Sequence, residues 1–246
     1  MTEPLVSCLT ATYGRFGKLC EAVSCFKEQD YDNKELIILN NHPEPLRCDL
    51  PDVEIINESG HPTLGDCRNR LLDFVNGDLI RTWDDDDLYM PWAISQGVEN
   101  IGDDIAWKPF YSWGWQVAKD DFYISANKYE ASWTVRADIV NKFKYISKSG
   151  GNEHNSLEIG LRNLGGIKRD KVKPSYVYRW GSGLCRISGS LNKNDLSEET
   201  TRKRTERWMR LNNDTGKGVI TLVDLSEYWD KFETEYQRIK ADYELD

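Results

Sequence analysis

Through residues 1–100 the chain alternates short continuous apolar runs with stretches whose apolar positions recur every three to four residues. That is the pattern of strands covered on both faces and joined by amphipathic helices. Residues 5–9 are one such run, giving way to Thr10-Ala11-Thr12-Tyr13-Gly14-Arg15, which predicts a buried strand entering a loop that opens a helix. Leu19, Ala22, Val23 and Phe26 then fall on one helical stripe, and Asp30-Tyr31-Asp32-Asn33 ends it. Glu35-Leu36-Ile37-Ile38-Leu39 reads as a second, parallel strand closed by Asn40-Asn41-His42-Pro43, and residues 53–56 as a third. A helix from about Leu64, with Cys67, Leu71, Phe74 and Val75 inward, stops at Asn76-Gly77. Residues 78–83 form a fourth strand, which delivers Asp84-Asp85-Asp86-Asp87 to the end where open α/β sheets bind ligands. Pro91 opens another helix, with Ile94, Val98 and Ile101 inward.

Beyond residue 105 the pattern changes to short aromatic-rich strands carrying Trp107, Phe110, Tyr111, Trp113, Trp115, Phe122, Tyr123 and Trp133, with helix returning near 138–142. Asp195-Leu196-Ser197-Glu198 has the spacing of a capped helix start. The helix after it carries Arg202, Lys203, Arg204, Arg207 and Arg210, either a solvated face or a seat for a phosphate-bearing acceptor. A last helix spans about 225–243.

Composition narrows the class. With 39% hydrophobic and 30% charged residues the chain is globular, and its net charge of −9 argues against a surface built to neutralise many phosphates. No stretch is long and apolar enough for a transmembrane segment and no signal peptide is recognisable, so a cytoplasmic protein is expected. Cys8, Cys20, Cys25, Cys48, Cys67 and Cys185 lack metal or redox spacing and read as reduced, mostly buried thiols.

Four consecutive carboxylates repel one another unless a cation or several donors neutralise them, and a hard divalent metal is the natural partner. A solvated acidic turn is the plainer alternative. The same crevice receives the Thr12-Tyr13-Gly14-Arg15 loop, the Asn40-Asn41 strand end and Gly65-Asp66-Cys67-Arg68-Asn69. Arg68 at a helix start offers an anion site, and the asparagines offer donors and acceptors for a nucleobase or ribose.

In these segments the chain resembles glycosyltransferase family 2, inverting nucleotide-sugar transferases of the GT-A fold. Val6-Ser7-Cys8-Leu9-Thr10-Ala11-Thr12-Tyr13-Gly14-Arg15 is similar to the family's first strand and donor loop, and Gln29-Asp30-Tyr31 through Asn40-Asn41 to its second strand, with asparagines in place of aspartates. Gly65-Asp66-Cys67-Arg68-Asn69, Gly77-Asp78-Leu79-Ile80 and Asp84-x-Asp86-Asp87-x-x-x-Pro91 resemble the approach to the D-x-D motif and the motif itself. The likeness covers roughly residues 4–100. It implies an α/β, GT-A-like (Rossmann-like), mostly parallel sheet flanked by helices, with a nucleotide-sugar-binding half (1–100), an aromatic-rich acceptor half (101–190) and a helical C-terminal extension (191–246).

For the site, the resemblance implies Asp86 as direct ligand of Mn²⁺ or Mg²⁺, Asp84 on the nucleoside or a metal-bound water, and Asp85 and Arg68 serving the nucleotide. Thr12, Tyr13, Arg15, Asn40 and Asn41 complete the donor side. Gly151-Asn152-Glu153-His154-Asn155 looks like the family's acidic pair, with His154 where an aspartate normally acts as base, so either Glu153 or His154 takes the acceptor proton. Residues 176–189 resemble a late segment near the diphosphate, in which Arg179 or Arg186 could neutralise developing charge. Trp113, Trp115 and Trp133 are candidate sugar-stacking surfaces. The implied partners are a UDP- or GDP-type sugar donor and a hydroxyl acceptor, a glycan or a modified nucleic-acid base among them. A sugar-nucleotide nucleotidyltransferase, or a nucleotide-sugar, nucleic-acid or glycan binding protein without turnover, are the rival readings.

Overall fold

In the computed structural model, residues 3–140, 142, 144–146, 155–180 and 198–245 are described. The first part runs β1 (Val6–Thr12), α1 (Phe16–Lys27), β2 (Lys34–Asn40), β3 (Leu46–Arg47), β4 (Val53–Asn57), α2 (Leu64–Leu71), β5 (Leu79–Thr82), β6 (Leu88–Tyr89) and α3 (Ala93–Ile101). It continues through β7 (Ala106–Pro109), β8 (Tyr111–Gln116), β9 (Asp121–Ala126), β10 (Thr134–Arg136), α4 (Ala137–Val140), α5 (Asn155–Asn163), β11 (Lys168–Asp170) and β12 (Tyr176–Trp180). The C-terminal part holds α6 (Glu198–Leu211), β13 (Gly218–Val219) and α7 (Ser226–Ile239).

Among the described residues the central sheet has seven strands in the order β11-β7-β10-β5-β1-β2-β4. Strands β5, β1, β2 and β4 are parallel, and β10 runs antiparallel between β5 and β7. The continuous apolar run of β2 resolves as its period of two requires: Leu36 and Ile38 enter one core with α1, while Ile37 and Leu39 enter the other with Cys67 and Leu71 of α2 and Leu157 and Leu161 of α5. Each helical stripe read from the sequence lies against one of these faces; Leu19, Ala22, Val23 and Phe26 of α1 are all buried.

A second sheet, β6-β12-β8-β9, lies beside the ends of the parallel strands, and its aromatic residues pack under α7. The C-terminal part is stitched to the first half: β13 pairs in parallel with β3, and Ile220 N–H donates to Arg47 O at 2.7 Å. Among the described cysteines all are free thiols, four of them buried, and burial pushes Cys8 and Cys25 up to about 12. No described helix is long and apolar enough to cross a membrane.

Candidate active site

Strands β1 and β5 are adjacent and parallel, so the loops leaving their C-terminal ends meet by construction. The β1 loop turns sharply because Gly14 (φ 71°) and Arg15 (φ 58°) are both left-handed, which aims the Arg15 side chain back across the sheet end as α1 begins. Glycine suits position 14 because its φ of 71° would strain any side chain, and a β-carbon there would lie 2.3 Å from Sδ of Met209 on α6, which would have to shift.

The four aspartates after β5 divide by environment. Asp87 is buried and structural: its carboxylate accepts from the Tyr176 hydroxyl and, at 2.9 Å, from Arg179 N–H, pinning β12 to the loop. Asp85 accepts from the Thr12 hydroxyl at 2.6 Å and from Arg15 Nη2 at 2.6 Å. Asp86 accepts from Arg15 Nη1 at 2.8 Å, so one guanidinium spans two carboxylates. Asp84 is the open one, its side chain 34% exposed, with Arg68 Nη2 at 3.1 Å and its own N–H donating to the Tyr89 hydroxyl. Trp83, just before it, stacks on Tyr89 at 3.7 Å and fixes the start of the loop.

Even with these arginines present, burial raises Asp84 to about 7 and Asp85 to about 6; Arg68 and Arg15 oppose the shift and the neighbouring carboxylates add to it. At Glu21, burial is the largest influence and would raise the carboxyl, yet Arg179 and Lys18 together hold it below its ordinary value. In the contacts around the loop, the carboxylates of Asp84 to Asp87, Glu21 and Glu130 outnumber the cations Arg15, Arg68, Arg179 and Lys18 that meet them. Among the described residues no three acidic, His or Cys side chains converge as a preformed metal cage. That suits an ion such as Mn²⁺ or Mg²⁺, which takes one or two carboxylates and completes its shell with phosphate oxygens and water. Asp84 and Asp86, with hard oxygen donors and an open side, fit such an ion.

Arg179, expected near the diphosphate, is buried; it donates to Asp86 O at 2.7 Å and bonds Glu21, so it holds the loop's backbone from behind. Asn40 and Asn41 are also turned to structure. Asn40 donates to Glu44 O and Asn57 Oδ1 and accepts from His42 N–H, while Asn41 exchanges two hydrogen bonds with the His61 backbone. Their amides close the β2 and β4 loops, in place of the base contact expected. Tyr13, half-buried, instead meets His42 edge to face, ring centroids 5.1 Å apart. The α2 N-terminus expected to bind an anion is closed by a capping box of Thr63 and Asp66, and what Arg68 brings is its side chain.

Three expected acceptor surfaces are corrected by packing. Trp113 and Trp115 lie against Phe232 of α7, and Trp133 is buried with Lys108 over its ring, leaving exposures of 1%, 6% and 2%. Glu153, His154, Arg186 and the cap at Asp195 to Ser197 lie outside the described residues. On α6, Lys203, Arg207 and Arg210 are exposed, as a solvated face requires.

The sequence reading missed Glu130. It is 6% exposed, pairs with Arg68 Nη1 at 2.5 Å and accepts from Thr82 at 3.3 Å, so Arg68 bridges Glu130 and Asp84. The available signal was one carboxylate within the otherwise uncharged Tyr129-Glu130-Ala131-Ser132-Trp133.

A mostly parallel sheet flanked by helices, with a buried acidic loop and two arginines where β1 and β5 end, is an α/β architecture of the GT-A glycosyltransferase type. The sequence profile of Glycosyl transferase family 2 matches residues 7–149, and the chain belongs to that family. Among solved structures it is similar to S. aureus TarS 1-349 in complex with UDP-GlcNAc (TM-score 0.61, 13% identity, covering 83% of this chain and 71% of that one). It is also similar to the same protein in complex with UDP (TM-score 0.58, 13% identity, 86% and 72%). The mannosyltransferase PcManGT from Pyrobaculum calidifontis, in complex with GDP-Man and Mn²⁺, aligns with TM-score 0.54 at 12% identity over 85% of this chain and 65% of that one. An uncharacterized protein of Haemophilus influenzae is 29% identical over 93 residues, 33% of this chain and 50% of that protein. The chain thus spans about half the length of the curated relative it matches.

Proposed function

We propose that the protein transfers a sugar from a nucleoside diphosphate-sugar, of UDP or GDP type, to an acceptor hydroxyl with inversion, assisted by Mn²⁺ or Mg²⁺. The observation that carries this reading is the meeting of the β1 loop, Arg68 and the Asp84–Asp86 carboxylates at one end of the parallel strands, with Arg68 on the open carboxylate Asp84 and Arg15 on Asp85 and Asp86. Residues 1–190 supply the transferase body, and 191–246 an extension that braces the donor loop.

In this reading Asp86 and Asp84 hold the divalent ion, which when bound supplies positive charge to the leaving diphosphate. Arg68, fixed by Glu130, presents its guanidinium to the donor, and Tyr13 offers a flat face to the nucleoside. Glu153 or His154, immediately before α5, takes the proton from the acceptor hydroxyl as it attacks the anomeric carbon opposite the diphosphate. No covalent intermediate is required.

Thermal denaturation with UDP, GDP and their sugar conjugates tests the donor site. With Mn²⁺ and ligand at about a hundred times its Kd, stabilisation of about 2.7 kcal/mol is expected, a shift of roughly 5–10 °C for a chain of this size. Asp86→Ala should remove the metal-dependent part. If no nucleoside diphosphate raises Tm with either metal, the reading fails. Binding with neither donor hydrolysis nor transfer, followed by mass spectrometry, would instead identify a binding protein.

A further inference from the structure

The carboxylates of Asp85 and Asp86 are bridged by one cation, and that cation belongs to the chain. Arg15 places Nη2 2.6 Å from Asp85 Oδ1 and Nη1 2.8 Å from Asp86 Oδ2. Asp86 is the carboxylate our reading assigns to a divalent ion, so the guanidinium and the ion would contend for one oxygen set.

The geometry around Arg15 suits exchange. Its side chain is 15% exposed, which leaves it a path to solvent, whereas Arg179 behind the loop is 1% exposed and locked by Glu21 and the Asp86 carbonyl. Arg15 sits between a left-handed glycine and the first turn of α1, and is itself left-handed without side-chain capping of the helix. Its backbone is held independently of its guanidinium: Met209 fills the space beside Gly14, and Asp214 accepts from Gly17 N–H at 3.4 Å. The side chain can therefore change partner while the loop stays in place. A planar guanidinium binds diphosphate oxygens as readily as carboxylates, and an arriving diphosphate brings the negative charge it would follow.

We propose that Arg15 is an exchangeable counter-ion: without donor it neutralises Asp85 and Asp86, and when donor and divalent ion arrive together it yields Asp86 to the ion and moves to the diphosphate. This rests on the donor-site reading above. It makes metal binding weak without nucleotide and strong with it, so that the ion is recruited with the substrate. It also gives the unliganded acidic loop a cation of its own.

Mn²⁺ binding to the nucleotide-free protein, measured by electron paramagnetic resonance, tests the first half. Arg15→Gln, which keeps length and polarity, should bind Mn²⁺ about tenfold more tightly than the wild type, the scale of an ordinary coupling between sites. Arg15→Lys should stay near the wild type, and Arg15→Ala should match Arg15→Gln if it folds. Unchanged or weaker Mn²⁺ binding in Arg15→Gln overturns the proposal. UDP and GDP titrations at saturating Mn²⁺ test the second half: about tenfold weaker nucleotide binding in Arg15→Gln is expected, and unchanged affinity overturns transfer to the diphosphate. If wild type binds neither nucleotide with Mn²⁺, the donor-site reading has failed, and the metal-only comparison still decides whether Arg15 competes for Asp86.

Discussion

Each of the four aspartates takes its character from its neighbours, although the sequence presents them as equals. Asp87 is spent on Tyr176 and β12, Asp85 on Thr12 and Arg15, and Asp84 keeps a third of its surface. Their titration gives a stability prediction. Asp84 and Asp85 are raised in the folded state, to about 7 and about 6, so the folded protein retains protons that the unfolded chain has released. That contribution is fully present below the unfolded carboxylate pKa and is lost as pH rises through about 6 for Asp85 and about 7 for Asp84. Asp84→Asn, which cannot ionise, should therefore gain on the wild type between pH 4 and pH 7.5. Discounted for the screening of a side chain one-third exposed, the gain should be about 1 kcal/mol, or roughly 2–4 °C in Tm measured without metal. A gap in Tm that does not widen across this range would contradict the assignment. Glu130 shows the converse: one charge in an uncharged stretch becomes a site residue because Arg68 reaches it across the fold.

At the scale of elements, the decisive contacts join segments far apart in sequence. The β1 loop and α6 meet where Met209 fills the space that a side chain at position 14 would need. Gly14→Ala should cost about 1–3 kcal/mol, combining left-handed strain with displacement of Met209. In a Met209→Ala background the same substitution should cost less, because only the strain remains; equal costs in a double-mutant cycle would show that the two segments do not share this contact. Donor affinity should fall with Gly14→Ala, since Arg15 is aimed by the same turn. The capping box of α2 has a comparable effect: Asp66 closes the helix N-terminus and leaves the Arg68 side chain as the element's contribution to the site. The aromatic strands β8 and β9 supply packing surface for α7 and no exposed indole at Trp113 or Trp115.

Across the whole molecule, the two loops that carry the acidic cluster and Arg15 leave β5 and β1 of one sheet, and α5, which follows the proposed base in the chain, packs its Leu157 and Leu161 into a core on that sheet. Replacing Glu153 and His154 singly should abolish transfer in one variant, by roughly two to four orders of magnitude, while nucleotide binding measured by calorimetry stays intact. Full activity in both variants would reject the assignment of the base. The order of elements was legible in the sequence because burial on both faces of β2 demands a continuous apolar run, and burial on one face of α1 demands its stripe. The acidic loop, the β1 turn and Arg68 were legible too, since each follows a strand end or opens a helix. The pairing of charges was not. Nothing local tells Asp87 from Asp86, turns Asn40 and Asn41 inward, or sets Trp113 against Phe232, because those outcomes depend on which distant groups the fold brings within hydrogen-bond or van der Waals reach. The sequence by itself determined the alternating sheet, the end of it where the β1 and β5 loops emerge, and the residue types gathered there. Tertiary packing alone decided which carboxylates stay open, which arginines hold the loop and which remain able to meet a ligand, because burial and ion pairing are properties of the assembled neighbourhood.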